Sequence, residues 1–326
     1  MPQSIYSFME SQAAYIEQEV YRTRYPDIQY HELVPVSTEA NPFARTIRHY
    51  SQDMRGFMQP LANRATDVPL VDIQREKYDI PVEMSGLGYD WSIDEIEQAR
   101  MLGINLTAEK ALAVRRGSEE YIDKVVNEGD SSAGWDSLMR PANVTRELAS
   151  GSSDANRLWS AKTAEQILAD INNVLQGVHD DSRTVELADT LLLPPRVLSS
   201  LVSKVLTGTD RTVYTFIMQS NVYTARTGQP LMIREYRGLE SAGRNAATSS
   251  GNENADSTGG TAVGRMIAYR RDPQVLKLHM PMPLRFLPPW QVFSTRWVVL
   301  AIIRLGGLEI RLPKAMRAMD GISTSS

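Results

Sequence analysis

The stretch that decides the fold is FARTIRHYSQDMRGFMQPLANRATDVPLVDIQREKYDIPVEMSGLGYD, residues 43–90. It holds Pro60, Pro69 and Pro81 together with Gly56, Gly86 and Gly88, yet Ala44–Tyr50 and Leu70–Met84 read as extended. Met54–Asp67 between them is polar and turn-prone. A segment of this length with so little core-forming pattern is uncommon as a loop inside one compact domain. It reads instead as a long two-stranded excursion reaching away from the body. An isolated hairpin is marginal in water, so this one needs a neighbour to lie on.

Upstream, residues 1–42 read as an arm, with a helix over Ala13–Arg24 followed by Pro26, Pro35 and Pro42. Downstream come the clearest helices. Ser92-Ile93-Asp94-Glu95 is a capping box that opens a helix to about Leu102, interrupted at Gly103. Thr107 is the expected cap of a longer helix to Asn127, with Ala111, Val114, Tyr121/Ile122 and Val125 as its stripe. Thr163-Ala164-Glu165-Gln166 is a second capping box, before Ile167, Ile171, Val174, Leu175 and Val178.

Asp189–Leu193 reads as a short buried strand. Pro195 starts a helix bearing Val197, Leu198, Leu201, Val202 and Val205, which stops at Gly208. Thr248–Gly264 is a polar exposed loop. From Val275 to Phe286 a period of two sets Leu276, Leu278, Met280, Met282, Leu284 and Phe286 on one face. Lys277, His279, Pro281, Pro283 and Arg285 fall on the other, which predicts one long strand at an edge. The apolar run Trp297–Ile303 is far short of the about 20 residues a bilayer needs, so it reads as a buried strand. Gly306-Gly307 joins it to Leu308–Leu312. The fold class expected is α+β with extended appendages.

The 326 residues argue for about two domains, and 42% hydrophobic with 23% charged residues excludes a disordered chain. No cysteine is present, which rules out thiolate metal sites, cysteine nucleophiles and disulfides. The N-terminus lacks a basic start and apolar core, so no signal peptide and no membrane association are expected. From Thr261 onward 10 Lys and Arg stand against 3 Asp and Glu, but without a basic run or stripe this is no nucleic-acid footprint. Of 35 basic residues 28 are Arg, a skew that suits partly buried ion pairs and interfaces.

Catalytic patterns are missing. His31, His49, His179 and His279 are scattered and read as surface or interface histidines. Gly86-Leu-Gly88-Tyr-Asp90 lacks a third glycine and a following helix, and Gly259-Gly260 lacks the lysine of a phosphate loop. Asp180-Asp181 and Glu119-Glu120 read as solvated helix faces. No cofactor, metal or enzymatic activity is expected.

The order of these parts resembles the major capsid proteins of tailed bacteriophages, the Hong Kong 97-type fold, and more distantly encapsulin shells. The likeness runs from about Tyr78 to Ile322. It is carried by IPVEMSGLGYDWSIDEIEQARMLGINL, DTLLLPPRVLSSLV, RMIAYRRDPQVLKLHMPMPLRFLPP and RLGGLEIRLPKAMRAMDGI. The resemblance implies an N-terminal arm (1–42), an extended loop over a neighbouring subunit (43–90) and a peripheral domain (91–158) with Thr107–Asn127 as its spine helix. It further implies an axial domain (159–264) and return strands to the C-terminus (265–326). The candidate intersubunit contacts are Arg45, Arg48, Arg55, Arg64, Arg75 and Lys77.

On this reading the partners are the chain itself, as hexamers and pentamers of an icosahedral shell, and packaged double-stranded DNA touched without sequence preference. Between Ser92 and Glu128 there are 8 acids against 5 bases, a lining along which DNA would slide rather than stick. Residues 1–42 show no long scaffolding helix, so a separate scaffolding protein is expected, with a portal and a decoration protein as further partners. The site is the virion capsid, reached from the host cytoplasm. Some relatives cross-link by an isopeptide bond; here Lys77 is the sole lysine of the loop, and Thr295 and Ile302 stand where an asparagine or acid is needed, so no cross-link is expected. Two other readings are an encapsulin-like compartment, distinguished by particles without nucleic acid, and a hydrolase with a site between chains, distinguished by an active monomer.

Overall fold

The computed structural model describes residues 28–55, 72–102, 106–151, 154–206, 208–243 and 264–323. The arm helix over Ala13–Arg24, the tip 56–71, Gly103 and most of the Thr248–Gly264 loop lie outside the described residues. The chain opens with α1 (Tyr30–Leu33) and β1 (Val36–Ser37), followed by β2 (Thr46–Arg55) and β3 (Asp72–Pro81). β2 and β3 pair antiparallel over ten residues, from Thr46 opposite Pro81 to Arg55 opposite Asp72, and form a sheet of two strands. The two strands expected over 43–90 are therefore confined to Thr46–Arg55 and Asp72–Pro81.

The extended run does not continue past Pro81. β4 (Glu83–Ser92) turns into the body and pairs along its whole length with a late strand. The Ser92 capping box is present in both directions and starts α2 (Ile93–Leu102). The long helix α3 (Leu106–Glu128) begins ahead of Thr107, which therefore lies inside it and is not its cap. Gly129 follows with φ +70°, a turn that favours glycine.

β5 (Thr145–Leu148) and α4 (Asp154–Arg157) lead to α5 (Ala164–Asp181), whose Thr163 capping box is complete and whose predicted stripe is buried. β6 (Thr190–Leu193) is buried throughout, and α6 (Pro195–Ser203) starts on proline as expected. That helix stops at Ser203, not Gly208, and Val202 and Val205 are exposed. α7 (Val213–Ser220), α8 (Val222–Thr227) and β7 (Met232–Glu235) complete this region.

The last part contributes β8 (Arg265–Tyr269), β9 (Leu276–His279), β10 (Met282–Phe286), β11 (Trp290–Phe293), β12 (Arg296–Leu305), β13 (Gly307–Ile310) and β14 (Met316–Asp320). The single long strand expected over Val275–Phe286 is therefore two strands in two sheets. β9 lies between β1 and β13, whereas β10 pairs with β12. Proline at 281 supplies no ladder donor, which fits a switch of sheet at this point. Gly306-Gly307 likewise does not close a hairpin but carries the chain from β12 into β13's sheet, with Gly307 at φ +67°. The run Trp297–Ile303 is half-buried rather than buried. Val299, Ala301 and Ile303 face inward, while Leu300 is exposed.

A five-stranded sheet in the order β5-β14-β8-β6-β7 divides two hydrophobic cores. Leu192, Ile267, Tyr269, Met316 and Ala318 point into one, with Ile122, Val125, Val126 and Trp135. Leu191, Leu193, Met266, Ala268 and Met319 point into the other, against Ile167, Ile171, Val174 and Leu175 of α5. Successive strand residues face opposite sides, so a strand between two cores reads as an unbroken apolar run. Across this sheet Arg265 and Asp320, register partners on β8 and β14, form a buried bidentate pair at 2.6 and 2.8 Å. Lys162 and Asp170 form a second buried pair, with Trp159 Nε1 donating to Asp170 at 3.0 Å.

Candidate functional site

Two surfaces stand out from this body. The first is the β2–β3 ribbon. No other strand pairs with it among the described residues, and its root is packed through Ile47 beside Gly306 and Ile80 on the first core. Beyond the root, Tyr50, Ile73 and Tyr78 are exposed by 63, 47 and 46%. Of the basic residues predicted as contacts, Arg48 and Lys77 converge on Asp79 at 2.7 and 2.8 Å. These two cations hold the Asp79 carboxyl down to about 2. Arg75 is exposed further out and Arg45 is exposed at the foot, its carbonyl accepting from the Val82 N–H at 2.9 Å. The Arg55 side chain and Arg64 lie outside the described residues.

The second surface is the sheet of β4, β12, β10 and β11. One face meets α3, where Tyr89, Trp91, Phe286 and Val299 border a cleft of about 570 Å³ with Ala111 and Leu112. The register places Met84, Gly86 and Gly88 of β4 with Leu300, Ile302 and Arg304 of β12 and Trp290 of β11 on the opposite face. There Leu300, Met84 and Trp290 remain 42, 63 and 74% exposed. A Cβ on Gly88 would stand 2.8 Å from the Val299 carbonyl oxygen, so β4 needs glycine to lie this close to β12. Sequence reasoning missed this face, although the two glycines of β4 carried its signal.

Ribbon and body meet at a junction that the sequence did not announce. Glu309 of β13 is buried; its Oε2 lies 2.6 Å from His279 Nε2 and 3.1 Å from Arg311 Nε. Its Oε1 lies 2.7 Å from His49 Nδ1 on β2, at ion-pair distance but without hydrogen-bond alignment. Tyr78 stacks on the His49 ring at 5.1 Å. Two histidines read as surface or interface residues therefore lie on one carboxylate, and His279 is buried within the chain itself. Burial raises the Glu309 carboxyl, but the His279 hydrogen bond and the Arg311 charge outweigh it and leave it below its ordinary value. Burial pushes the His49 imidazole down, and the Glu309 charge offsets this only in part.

The arginine excess has an internal use. Arg270 pairs with Glu186, Arg296 with Asp90, Arg317 with both Glu147 and Asp181, and Arg304 reaches the carbonyls of Pro42 and Ala44. These partners lie far away in sequence, so guanidinium groups tie the returning C-terminal strands to earlier elements. The paired acids are absorbed similarly: Glu119 accepts from the Tyr30 hydroxyl and Glu120 pairs with Arg116. Among the described residues no cluster of His, Asp and Glu could hold a metal ion, and no helix is long and apolar enough to cross a membrane.

Solved capsid shells share this fold. The capsid of Myoviridae phage XM1 superposes with a TM-score of 0.74 at 17% identity, over 96% of this chain and 98% of that one. Microbacterium phage Oxtober96 gives 0.59 at 12%, over 99% of each chain. The capsid of an empty GTA particle gives 0.56 at 11%, again over 99% of each. The fold is thus the Hong Kong 97-type α+β fold of phage capsids. Residues 58–322 match the family model described as major capsid protein, and the chain belongs to that family. It is a structural protein of the virion shell. Comparison with curated proteins by sequence found no match.

Proposed function

We propose that this major capsid protein assembles through its ribbon and its open sheet face, as hexamers and pentamers of an icosahedral shell around double-stranded DNA. The observation that carries the reading is a ten-residue strand pair that no other strand joins among the described residues and on which Tyr50, Ile73 and Tyr78 are exposed. A two-stranded hairpin is marginal alone, and its exposed Tyr50, Ile73 and Tyr78 gain a surface once a second copy lies beneath them. In this reading Phe43–Pro81 is the extended loop over a neighbour, β4 and residues 91–158 with the strands β9 to β13 form the peripheral domain, and 159–264 with β8 and β14 form the axial domain.

Arg45 and Arg75 fit intersubunit contacts better than Arg48 and Lys77, which already share Asp79. Turnover chemistry has no place in this mechanism. A separate scaffolding protein, a portal and a decoration protein complete the proposed partners, and assembly takes place in the host cytoplasm. The test replaces Thr46–Pro81 by a short Gly-Ser turn and compares both chains by electron microscopy with the scaffold co-expressed. Shells from the parent, and a folded but unassembled variant, support the reading. Closed shells from the variant overturn it.

A further inference from the structure

We propose that the outer edge of β4 takes up β2 of a second copy of this chain as an added antiparallel strand, with Tyr50 of that copy beside Gly88. The proposal rests on the assembly reading and adds to it a backbone pairing with a stated register. β4 runs along β12 without a break for ten residues. In an antiparallel ladder successive residues turn their backbone groups to alternate sides. Ile93 N–H donates to Thr295 C=O at 3.1 Å, so the odd residues of β4 turn theirs toward β12. Met84, Gly86, Gly88, Asp90 and Ser92 turn theirs outward. At the α2 end this outer edge is already met: Asp90 C=O accepts from Lys110 Nζ at 2.7 Å, and Ser92 N–H donates to Glu95 at 3.2 Å. The outward groups of Met84, Gly86 and Gly88 have no partner among the described residues. Proteins blunt such edges with charge, proline or a bulge. Met84–Tyr89 has none of these, and Met84, Gly86, Leu87 and Gly88 are all exposed.

The strand that fits this edge is β2. Val82 N–H donates to Arg45 C=O at 2.9 Å, which by the β2–β3 register turns Thr46, Arg48, Tyr50 and Gln52 outward. The outer edge of β3 is poorer at its root, where Pro81 has no N–H and its C=O accepts from Trp135 Nε1 at 3.0 Å. With Tyr50 of the second copy opposite Gly88, Gln52 falls opposite Gly86, Arg48 opposite Asp90 and Thr46 opposite Ser92. Directly opposed residues share a face, so the exposed Tyr50 ring lies on the open face with Leu300, over two glycines that offer no side chain. Arg48 and Asp90 are opposite charges in this register, a favourable cross-strand pair, and sliding the strand either way loses it.

The chain has no cysteine, so an introduced pair is the sole source of a disulfide. In this register Ser51 of the second copy faces Leu87 as a non-hydrogen-bonded pair, with Cα atoms about 4.5 Å apart and within disulfide reach. Oxidised shells of Ser51→Cys/Leu87→Cys, made with the scaffold co-expressed, should give a ladder of linked chains that dithiothreitol collapses. Ser51→Cys/Ser85→Cys places the pair diagonally, about 7–8 Å apart, and should stay mostly single-chain. Gly86→Pro removes an outward donor without taking a bond from β12, whereas Gly86→Ala keeps that donor. The folded proline chain should assemble about threefold to tenfold less well than the alanine chain. Shells whose Ser51–Leu87 pair links no better than the diagonal pair carry something else on the β4 edge and overturn the proposal. So does a folded Gly86→Pro chain that assembles like Gly86→Ala. A parent chain that forms no shells refutes the assembly reading itself, and this pairing with it.

Discussion

Truncating Asp320 to alanine leaves Arg265 as an unpaired cation in the wall between the two cores. Arg265 is 1% exposed, so no water reaches it to compensate. Its guanidinium has a third acceptor, the Met139 carbonyl at 2.9 Å, which cannot neutralise the charge. Removing one partner of such a buried pair costs about 3–5 kcal/mol. At about 2 °C per kcal/mol for a long chain, the thermal midpoint of the Asp320→Ala protein should fall by roughly 5–10 °C. The double variant Arg265→Met/Asp320→Leu carries no charge to strand. It loses the donor to Met139 O, worth about 1–3 kcal/mol, and should recover at least half of the lost stability. Calorimetry on the parent, Arg265→Met, Asp320→Leu and the double variant closes the cycle. The reasoning fails if Asp320→Ala melts within about 1 °C of the parent, or if the double variant loses the sum of the singles.

Gly307→Ala should destabilise strongly, because its Cβ would lie 2.2 Å from Trp135 Cγ in a left-handed conformation. About 1–2 kcal/mol for the backbone and about 1–3 for overpacking predict a total near 2–5 kcal/mol. Gly134→Ala, also left-handed but with open space around its Cβ, should lose only the backbone part in the same urea titration. Asp79 should titrate near 2 by carboxyl-resolved NMR, so its ion pair is intact at neutral pH and lost as pH falls through that value. Arg48→Gln should move this titration up toward the ordinary carboxylate range. Mature particles boiled in detergent should run as single chains, since Lys77 faces Asp79 and Ile302 offers no acceptor group; a covalent ladder would refute this.

Local signals were legible wherever one interaction sets the structure. Both capping boxes, the α5 stripe, the Pro195 helix start and the buried TLLL strand were readable because each depends on neighbours within a few residues. The ribbon was legible by default, as a length of chain with strand character and no core. Illegible features all required knowledge of what lies across the fold. The Val275–Phe286 alternation is equally compatible with one strand or two, and only the edges of β1 and β12 decide where it breaks. His49 and His279 are 230 residues apart in the chain, and nothing local marks Glu309 as their common partner. Thr107 looked like a cap because its composition is cap-like, yet helical packing begins one residue earlier.

The charges once read as the ribbon's contacts are partly spent within the ribbon, and this fixes what drives docking. Arg48, Lys77 and Asp79 form a local exposed network, and ion pairs this open to water contribute little to stability. Fully burying an aromatic or aliphatic side chain yields about 1.5–3 kcal/mol, so covering the half-exposed Tyr50, Ile73 and Tyr78 yields about 2–5 together. The open sheet face offers the same chemistry in Leu300, Met84 and Trp290. Apolar area therefore outweighs charge, and subunit association should be nearly insensitive to salt. Raising ionic strength from 0.1 to 1 M shortens the screening length from about 10 to 3 Å and suppresses exposed charge pairs while leaving apolar burial intact. Light scattering during assembly at both salts, alongside Tyr50→Ser and Ile73→Ser, separates the two causes. Assembly that persists in high salt and weakens in the serine variants fits apolar docking. Loss of assembly at 1 M salt, with the serine variants unaffected, would place the driving force back on the arginines.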